Sequence, residues 1–191
     1  MFSYDPSSGL LSPARLCPSP NYDQRCAQTP VSLLVVHGIS LPPGQFGGPF
    51  IDQLFCNQLR PDEHSYFAEI AHLRVSAHAL IRRDGELVQY VPLNARAWHA
   101  GQSNFEGCEA CNDFAIGVEL EGTDELPYEA IQYEQLATFY LSVLPHFPGI
   151  SRRRITGHSD IAPGRKTDPG PSFNWQQFDC ELDKQLVEGV R

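Results

Sequence analysis

Apolar and polar positions follow two different periods along this chain, and the changes of period mark its elements. Ser32-Leu33-Leu34-Val35-Val36 is a short apolar run that ends at His37 and predicts a strand buried on both faces. Pro42-Pro43-Gly44 and Gly47-Gly48 enforce a loop, after which helical spacing of apolar residues over 50–55 predicts a short helix. Residues 77–83 and 86–91 flank Asp84-Gly85, whose tolerance of positive φ suits a tight type I′ turn, so a β-hairpin is expected there. Phe114, Ile116, Val118 and Leu120 alternate with Ala115, Gly117, Glu119 and Glu121, which predicts a strand with one apolar face.

Tyr133, Leu136, Ala137, Tyr140, Leu141 and Leu144 recur every three or four positions, the stripe of an amphipathic helix. Thr123 or Asp124 is its expected cap, Pro127 falls in its first turn and Pro145 stops it. Asn174 is expected to cap a last helix that turns Trp175, Phe178, Leu182 and Leu186 inward. Strands interleaved with helices around one hairpin give an α/β fold, a single domain with a mixed central β-sheet flanked by α-helices. Residues 1–30 lack any period and are expected to form an irregular wrap, with 31–191 as one globular unit.

Composition narrows the function classes. The length of 191 residues fits one domain. A formal net charge of −9 disfavours phosphate backbones and polybasic membrane attachment, so neither nucleic acid nor a membrane is an expected partner. The N-terminal residues lack a basic region followed by an apolar run, and no stretch approaches a membrane span. With no secretory signal, the six cysteines are expected as reduced thiols in a cytoplasmic protein. Cys108 and Cys111 form a single Cys-x-x-Cys pair with no second pair to complete a zinc ribbon.

Two of the seven histidines occupy suggestive positions. His37 closes a buried strand just before a Pro/Gly loop, where α/β sheets tend to build sites. His158 opens a long Pro/Gly-rich loop, 159–171, of the kind that carries function. Two neutral imidazoles and one carboxylate make an open zinc site, and on spacing alone either Asp160 or Asp168 supplies the carboxylate. Trp98 and His99 offer aromatic planes to line a groove. Arg74 offers a guanidinium that matches a substrate carboxylate, and Asn112 either borders the same site or terminates a turn.

The ordered set Leu34-Val35-Val36-His37, Val75-Ser76-Ala77-His78, Arg82-Arg83-Asp84-Gly85, Ala97-Trp98-His99-Ala100-Gly101, Cys111-Asn112-Asp113-Phe114, Ile116-Gly117-Val118-Glu119-Leu120-Glu121-Gly122-Thr123, Gly157-His158 and Lys166-Thr167-Asp168-Pro169-Gly170-Pro171 closely resembles the zinc N-acetylmuramoyl-L-alanine amidases. That group includes phage-type amidases and peptidoglycan recognition proteins. The likeness runs from about Cys17 to Trp175 and is to those members that act on 1,6-anhydromuropeptides. It implies zinc held by His37, His158 and Asp168, with Glu119 as general base, Glu121 as its alternative, and Lys166 as the group that steadies the developing oxyanion. The implied reaction cuts the amide between the lactyl group of 1,6-anhydro-N-acetylmuramic acid and L-alanine. It serves cell-wall recycling in the cytoplasm and indirectly lowers β-lactamase induction. The implied partner is a small muropeptide, and the implied state is a monomer.

The chain departs from the family at several positions. Gly38 stands where an Asn commonly meets substrate, and Cys108 stands where a basic residue is usual. His158-Ser159-Asp160 and Pro163-Gly164-Arg165 replace His-Cys-Asp and Pro-Glu-Arg. These changes bear on affinity and stem-peptide preference rather than on the reaction. Two competing readings remain at this stage: a general amidase acting on intact peptidoglycan, and a peptidoglycan-binding module without catalysis.

Overall fold

A computed structural model describes residues 1–189. Four short strands come first: β1 (Ser3–Asp5), β2 (Leu10–Ser12), β3 (Arg15–Leu16) and β4 (Tyr22–Gln24). Then follow β5 (Leu33–Ile39), the helices α1 (Phe50–Phe55) and α2 (Ser65–Ile70), and the strands β6 (Ala79–Ile81), β7 (Leu87–Gln89) and β8 (Ala95–Ala97). A two-stranded ribbon of β9 (Asn104–Phe105) and β10 (Cys108–Glu109) precedes β11 (Ala115–Glu121) and α3 (Ala130–Val143). The chain closes with β12 (Ile155–Gly157), the single turn α4 (His158–Ile161) and α5 (Trp175–Gly189).

The central sheet has the order β12-β5-β11-β6-β7-β3. Strands β12, β5, β11 and β6 run parallel, β7 turns back antiparallel on β6, and β3 lies parallel to β7 at the edge. One face carries Leu34, Val36, Ile116, Val118 and Leu120, which pack with Leu136, Ala137, Phe139, Tyr140 and Val143 of α3 and with Phe178 and Leu182 of α5. The opposite face is covered by α1, α2, α4 and loops. Because the sheet is covered on both sides, β11 is buried along its whole length, and its polar alternates are not solvent-facing.

Three expectations are corrected. Residues 1–30 are not irregular: their short strands pair with one another, with the main sheet through β3, and with β8 through β4. The hairpin turn is not type I′. Gly85 N–H donates to the Arg82 carbonyl at 2.9 Å, Arg82 N–H donates to the Glu86 carbonyl at 2.9 Å, and of Asp84 and Gly85 only Gly85 takes a positive φ, 87°. That is a three-residue loop ending in a left-handed glycine. Helix α3 begins after the expected caps: Glu129 is its N-cap residue, and the Glu129 N–H donates to Gln132 Oε1 at 3.0 Å. Thr123 instead accepts the Leu126 N–H in a local turn.

The last helix matches its expected cap, since Asn174 Oδ1 accepts the Gln177 N–H at 3.0 Å. Phe178 and Leu182 face inward, whereas Trp175 and Leu186 are partly exposed, 37% and 46%. The stretch expected as a long loop after Gly157 opens with the helical turn α4. Asp160 Oδ2 accepts both the Gly157 N–H and the Thr156 hydroxyl at 2.9 Å, which makes it the cap of that turn.

Candidate metal centre and active site

The candidate residues converge at the carboxyl ends of the parallel strands. His37 is the fifth residue of β5 and pairs in register with Glu119, the fifth residue of β11, so both side chains leave the same face. Strand β12 pairs with the other side of β5 and delivers His158 at its end. Asp168 is drawn back to this point by the Ser159 N–H, which donates to the Asp168 carbonyl at 2.9 Å.

Three donor atoms meet there. His37 Nδ1 and His158 Nδ1 lie 3.0 Å apart, His158 Nδ1 and Asp168 Oδ2 3.0 Å, and His37 Nδ1 and Asp168 Oδ2 3.3 Å. A small borderline cation bound by imidazole and carboxylate at about 2.0–2.1 Å spans tetrahedral edges of about 3.3 Å. The triangle is therefore the right size to close one face of such a tetrahedron, and these residues can hold a metal ion. The outer nitrogens fix the tautomers. His158 Nε2 faces the Ala100 carbonyl at 3.2 Å, so it carries the proton and leaves the Nδ1 lone pair inward. His37 Nε2 lies 2.9 Å from His99 Nδ1 and, with its own Nδ1 as a ligand, must be the donor of that bond.

The site opens into a cavity of about 530 Å³. Its lining has an apolar part, formed by Leu41, Leu54, Phe55, Tyr66, Ile70, Leu73 and Val75, and a polar part that includes Glu119, His158, Lys166 and Asp168. Glu119 is buried, and its Oε2 has no hydrogen-bond partner among the described residues. Burial, and secondarily the Asp168 charge, push its carboxyl well above the usual carboxylate range, while Lys166 acts the other way. Burial also pushes His37 down to about 4. At Asp168 burial acts upward, but hydrogen bonds from His158 and His37 outweigh it and hold that carboxyl well below its usual range.

The remaining sequence-predicted residues divide. Lys166 and Trp98 line the cavity, and Trp98 Nε1 donates to Asp23 Oδ2 at 3.3 Å. His99 also borders it, but its ring is committed to His37 and lies over Gly117, where a Cβ would come within 2.4 Å of His99 Cγ. Asn112 is not a lining residue. Its Oδ1 accepts the backbone N–H groups of His99 and Ala100 at 3.1 and 2.8 Å and so sets the loop that carries His99. Arg74 is exposed and bonds to the carbonyls of His72 and Leu73, each at 3.4 Å, rather than reaching inward. Glu121, the alternative base, is structural: it accepts the Gly47 N–H at 2.7 Å and the Arg83 N–H at 3.3 Å.

Two features escaped sequence reasoning. The space beside Gly38 is taken by Tyr128, whose hydroxyl lies 2.3 Å from where a Cβ would stand and donates to the Pro169 carbonyl at 2.9 Å. The link between His37 and His99 was hidden as well. Its one trace in the sequence is Gly117, a glycine inside a strand, which signals a close approach by another group.

Comparisons with known proteins agree with this geometry. The family model described as N-acetylmuramoyl-L-alanine amidase matches residues 27–171. The 1,6-anhydro-N-acetylmuramyl-L-alanine amidase AmpD of Salmonella typhimurium (strain SL1344) is 61% identical over 173 residues, which cover 91% of this chain and 92% of that protein. A crystal structure of a selenomethionine derivative of AmpD superposes with a TM-score of 0.90 at 58% identity, covering 94% of this chain and 98% of the other. The structure of Escherichia coli AmiD in complex with the substrate anhydro-N-acetylmuramic acid-L-Ala-D-gamma-Glu-L-Lys aligns with a TM-score of 0.58 at 30% identity, covering 83% of this chain and 60% of that one. With the metal-ligand triangle, the cavity and these matches taken together, the chain belongs to the N-acetylmuramoyl-L-alanine amidase family and is an amide hydrolase of that class.

Proposed function

We propose that this amidase is zinc-dependent and cleaves the bond between the lactyl carbonyl of 1,6-anhydro-N-acetylmuramic acid and L-alanine in small, soluble muropeptides. The observation that carries the reading is the convergence of His37 Nδ1, His158 Nδ1 and Asp168 Oδ2 in the lining of a cavity that also holds Glu119 and Lys166. Two imidazoles and one carboxylate with an open fourth direction form the donor set of catalytic zinc. When bound, such an ion supplies Lewis acidity toward the amide carbonyl and lowers the pKa of a water molecule.

The chain's own groups do the rest. Glu119 accepts the proton of the attacking water at its unpartnered Oε2, and its raised pKa makes it a stronger base than an exposed carboxylate. Lys166, on the cavity wall, holds the negative charge that builds on the carbonyl oxygen as the tetrahedral centre forms. Glu119 then passes its proton to the alanine nitrogen, and the carbon–nitrogen bond breaks. The apolar part of the lining, from Leu41 to Val75, supports the anhydro preference. Internal ring closure removes two hydroxyls from the sugar, and an apolar surface imposes a smaller desolvation cost on that ring than on its hydrated counterpart.

The test incubates purified protein with anhydromuramyl-tripeptide and with its reducing-end counterpart, with and without a chelator, and follows free tripeptide by mass spectrometry. Release that is chelator-sensitive and much faster from the anhydro form is expected. Equal rates on the two substrates would overturn the anhydro assignment, and chelator-resistant release would overturn the zinc assignment. A product of this kind fits cell-wall recycling in the cytoplasm, where removing anhydromuropeptides lowers β-lactamase induction.

A further inference from the structure

Away from the catalytic cavity, two half-buried cysteines touch: Cys17 Sγ lies 3.5 Å from Cys56 Sγ. Neither lines the cavity. Cys17 follows β3 at the edge of the sheet, and Cys56 is the C-cap residue of α1. The backbone on each side is pinned. Cys17 N–H donates to the Gln89 carbonyl at 3.0 Å, and Cys56 N–H donates to the Asp52 carbonyl at 2.9 Å. The segment after Cys17 is laid across the end of α1 by Ser19 Oγ and Asn21 Nδ2, which donate to the Phe55 carbonyl at 2.5 and 3.2 Å. The two sulfurs are thus held in contact by bonds from the neighbouring backbone and side chains, and Cys56 Sγ itself donates to the Pro18 carbonyl at 3.6 Å. Closing from contact to a disulfide of about 2.05 Å asks for a shift of about 1.5 Å, within reach of side-chain rotation.

We propose that Cys17 and Cys56 are a modification site: a low-molecular-weight disulfide such as oxidised glutathione converts them to an intramolecular disulfide that staples the N-terminal segment to α1. The order of events follows from their surroundings. Burial, followed by the neighbouring sulfur, raises the Cys17 thiol, while the contact of Cys56 Sγ with the Pro18 carbonyl lies at the surface, so Cys56 is the sulfur that an external disulfide meets first. The Cys56 thiolate attacks one sulfur of glutathione disulfide, forms a mixed disulfide and expels one glutathione thiolate, which takes up a proton. Cys17 then gives its proton to solvent, attacks the Cys56 sulfur and expels the second glutathione thiolate. Two protein thiols are oxidised and one external disulfide is reduced to two thiols. The bond bears on the enzyme because Leu54 and Phe55, next to Cys56, form part of the cavity's apolar lining.

The experiment treats the folded, zinc-replete protein with glutathione buffers of rising oxidised fraction, traps free thiols by alkylation and maps peptides by mass spectrometry. Expected is a loss of about 2 Da, the two hydrogens removed, located in a peptide pair joining Cys17 to Cys56. The other four cysteines remain alkylated. The oxidised form is expected to melt about 5–10 °C higher, because the bond closes a long loop in the unfolded chain, and dithiothreitol should reverse the shift. Cys17→Ser should stop at the mixed disulfide on Cys56, show no melting shift, and retain the hydrolysis rate of the reduced wild type. Quantitative alkylation of both thiols after exposure, or disulfides scattered over Cys26 and Cys108, would overturn the proposal.

Discussion

Glu119 is held away from water with one oxygen lacking a partner, an arrangement that costs stability whenever the group is charged. Glu119→Gln keeps the volume and removes the charge. It should retain zinc and lose kcat by about 10²–10⁴-fold, the range for a general base. The same substitution makes a stability prediction. Because the fold raises this pKa, the native state of the wild type binds the proton more tightly than the unfolded chain does. The stability that Glu119 contributes is therefore present at acid pH and lost as pH climbs through the raised value. In chelated samples the Gln variant should melt above wild type at pH 8 and close to it at pH 4; a constant gap across that range would contradict the assignment. His99 offers a second residue-scale test. His99→Leu removes the acceptor of the His37 Nε2–H and should weaken zinc binding about 10–100-fold in competition with a chromophoric chelator. His99→Asn, which places an acceptor near the same point, should recover most of the loss.

At the scale of elements, Glu121 shows how neighbours on one strand divide the labour. Two residues beyond Glu119 and on the same face, it ties the Gly47 loop and the Arg83 backbone to β11. Glu121→Ala leaves those N–H groups without their acceptor and should lower unfolding stability by about 2–3 kcal/mol in urea titration, while zinc binding persists. The strands β5 and β11, the helices α1 and α5, and the cap at Asn174 were all legible in the sequence, because each announces itself by local period or local chemistry. The start of α3 was not, since the Glu129–Gln132 cap competes with earlier and equally plausible cappers. The hairpin turn was misread because Asp-Gly serves both a two-residue and a three-residue loop. Of the short N-terminal strands, β3 and β4 pair with distant partners, and all four are too short to carry a period of their own.

For the whole molecule, the residues proposed to hold zinc come from segments that only the folded chain brings together: His37 and His158 are 121 residues apart in sequence. An unfolded chain has no such site, so zinc affinity becomes folding stability. At free zinc about 100-fold above Kd the gain is about 2.7 kcal/mol, so chelation should lower Tm by about 5–10 °C for a protein of this size. A Tm that ignores zinc concentration would show that the three donors do not act together. The sequence likeness singled out His37, His158 and Asp168, which the fold brings close enough to hold one ion, whereas the support that Asn112 gives to the His99 loop through its Oδ1 is a tertiary contact that local spacing does not show.

The register of β5 against β11 carries one more consequence. His37 and Glu119 sit on the same rung of one ladder, on adjoining strands, so the spacing between these two side chains is inherited from the sheet's own lattice and is as stiff as the backbone. Lys166 and Asp168 hang from irregular chain instead. Any dormant form of this enzyme must therefore differ in the suspended half, with the ladder-borne half already set for work.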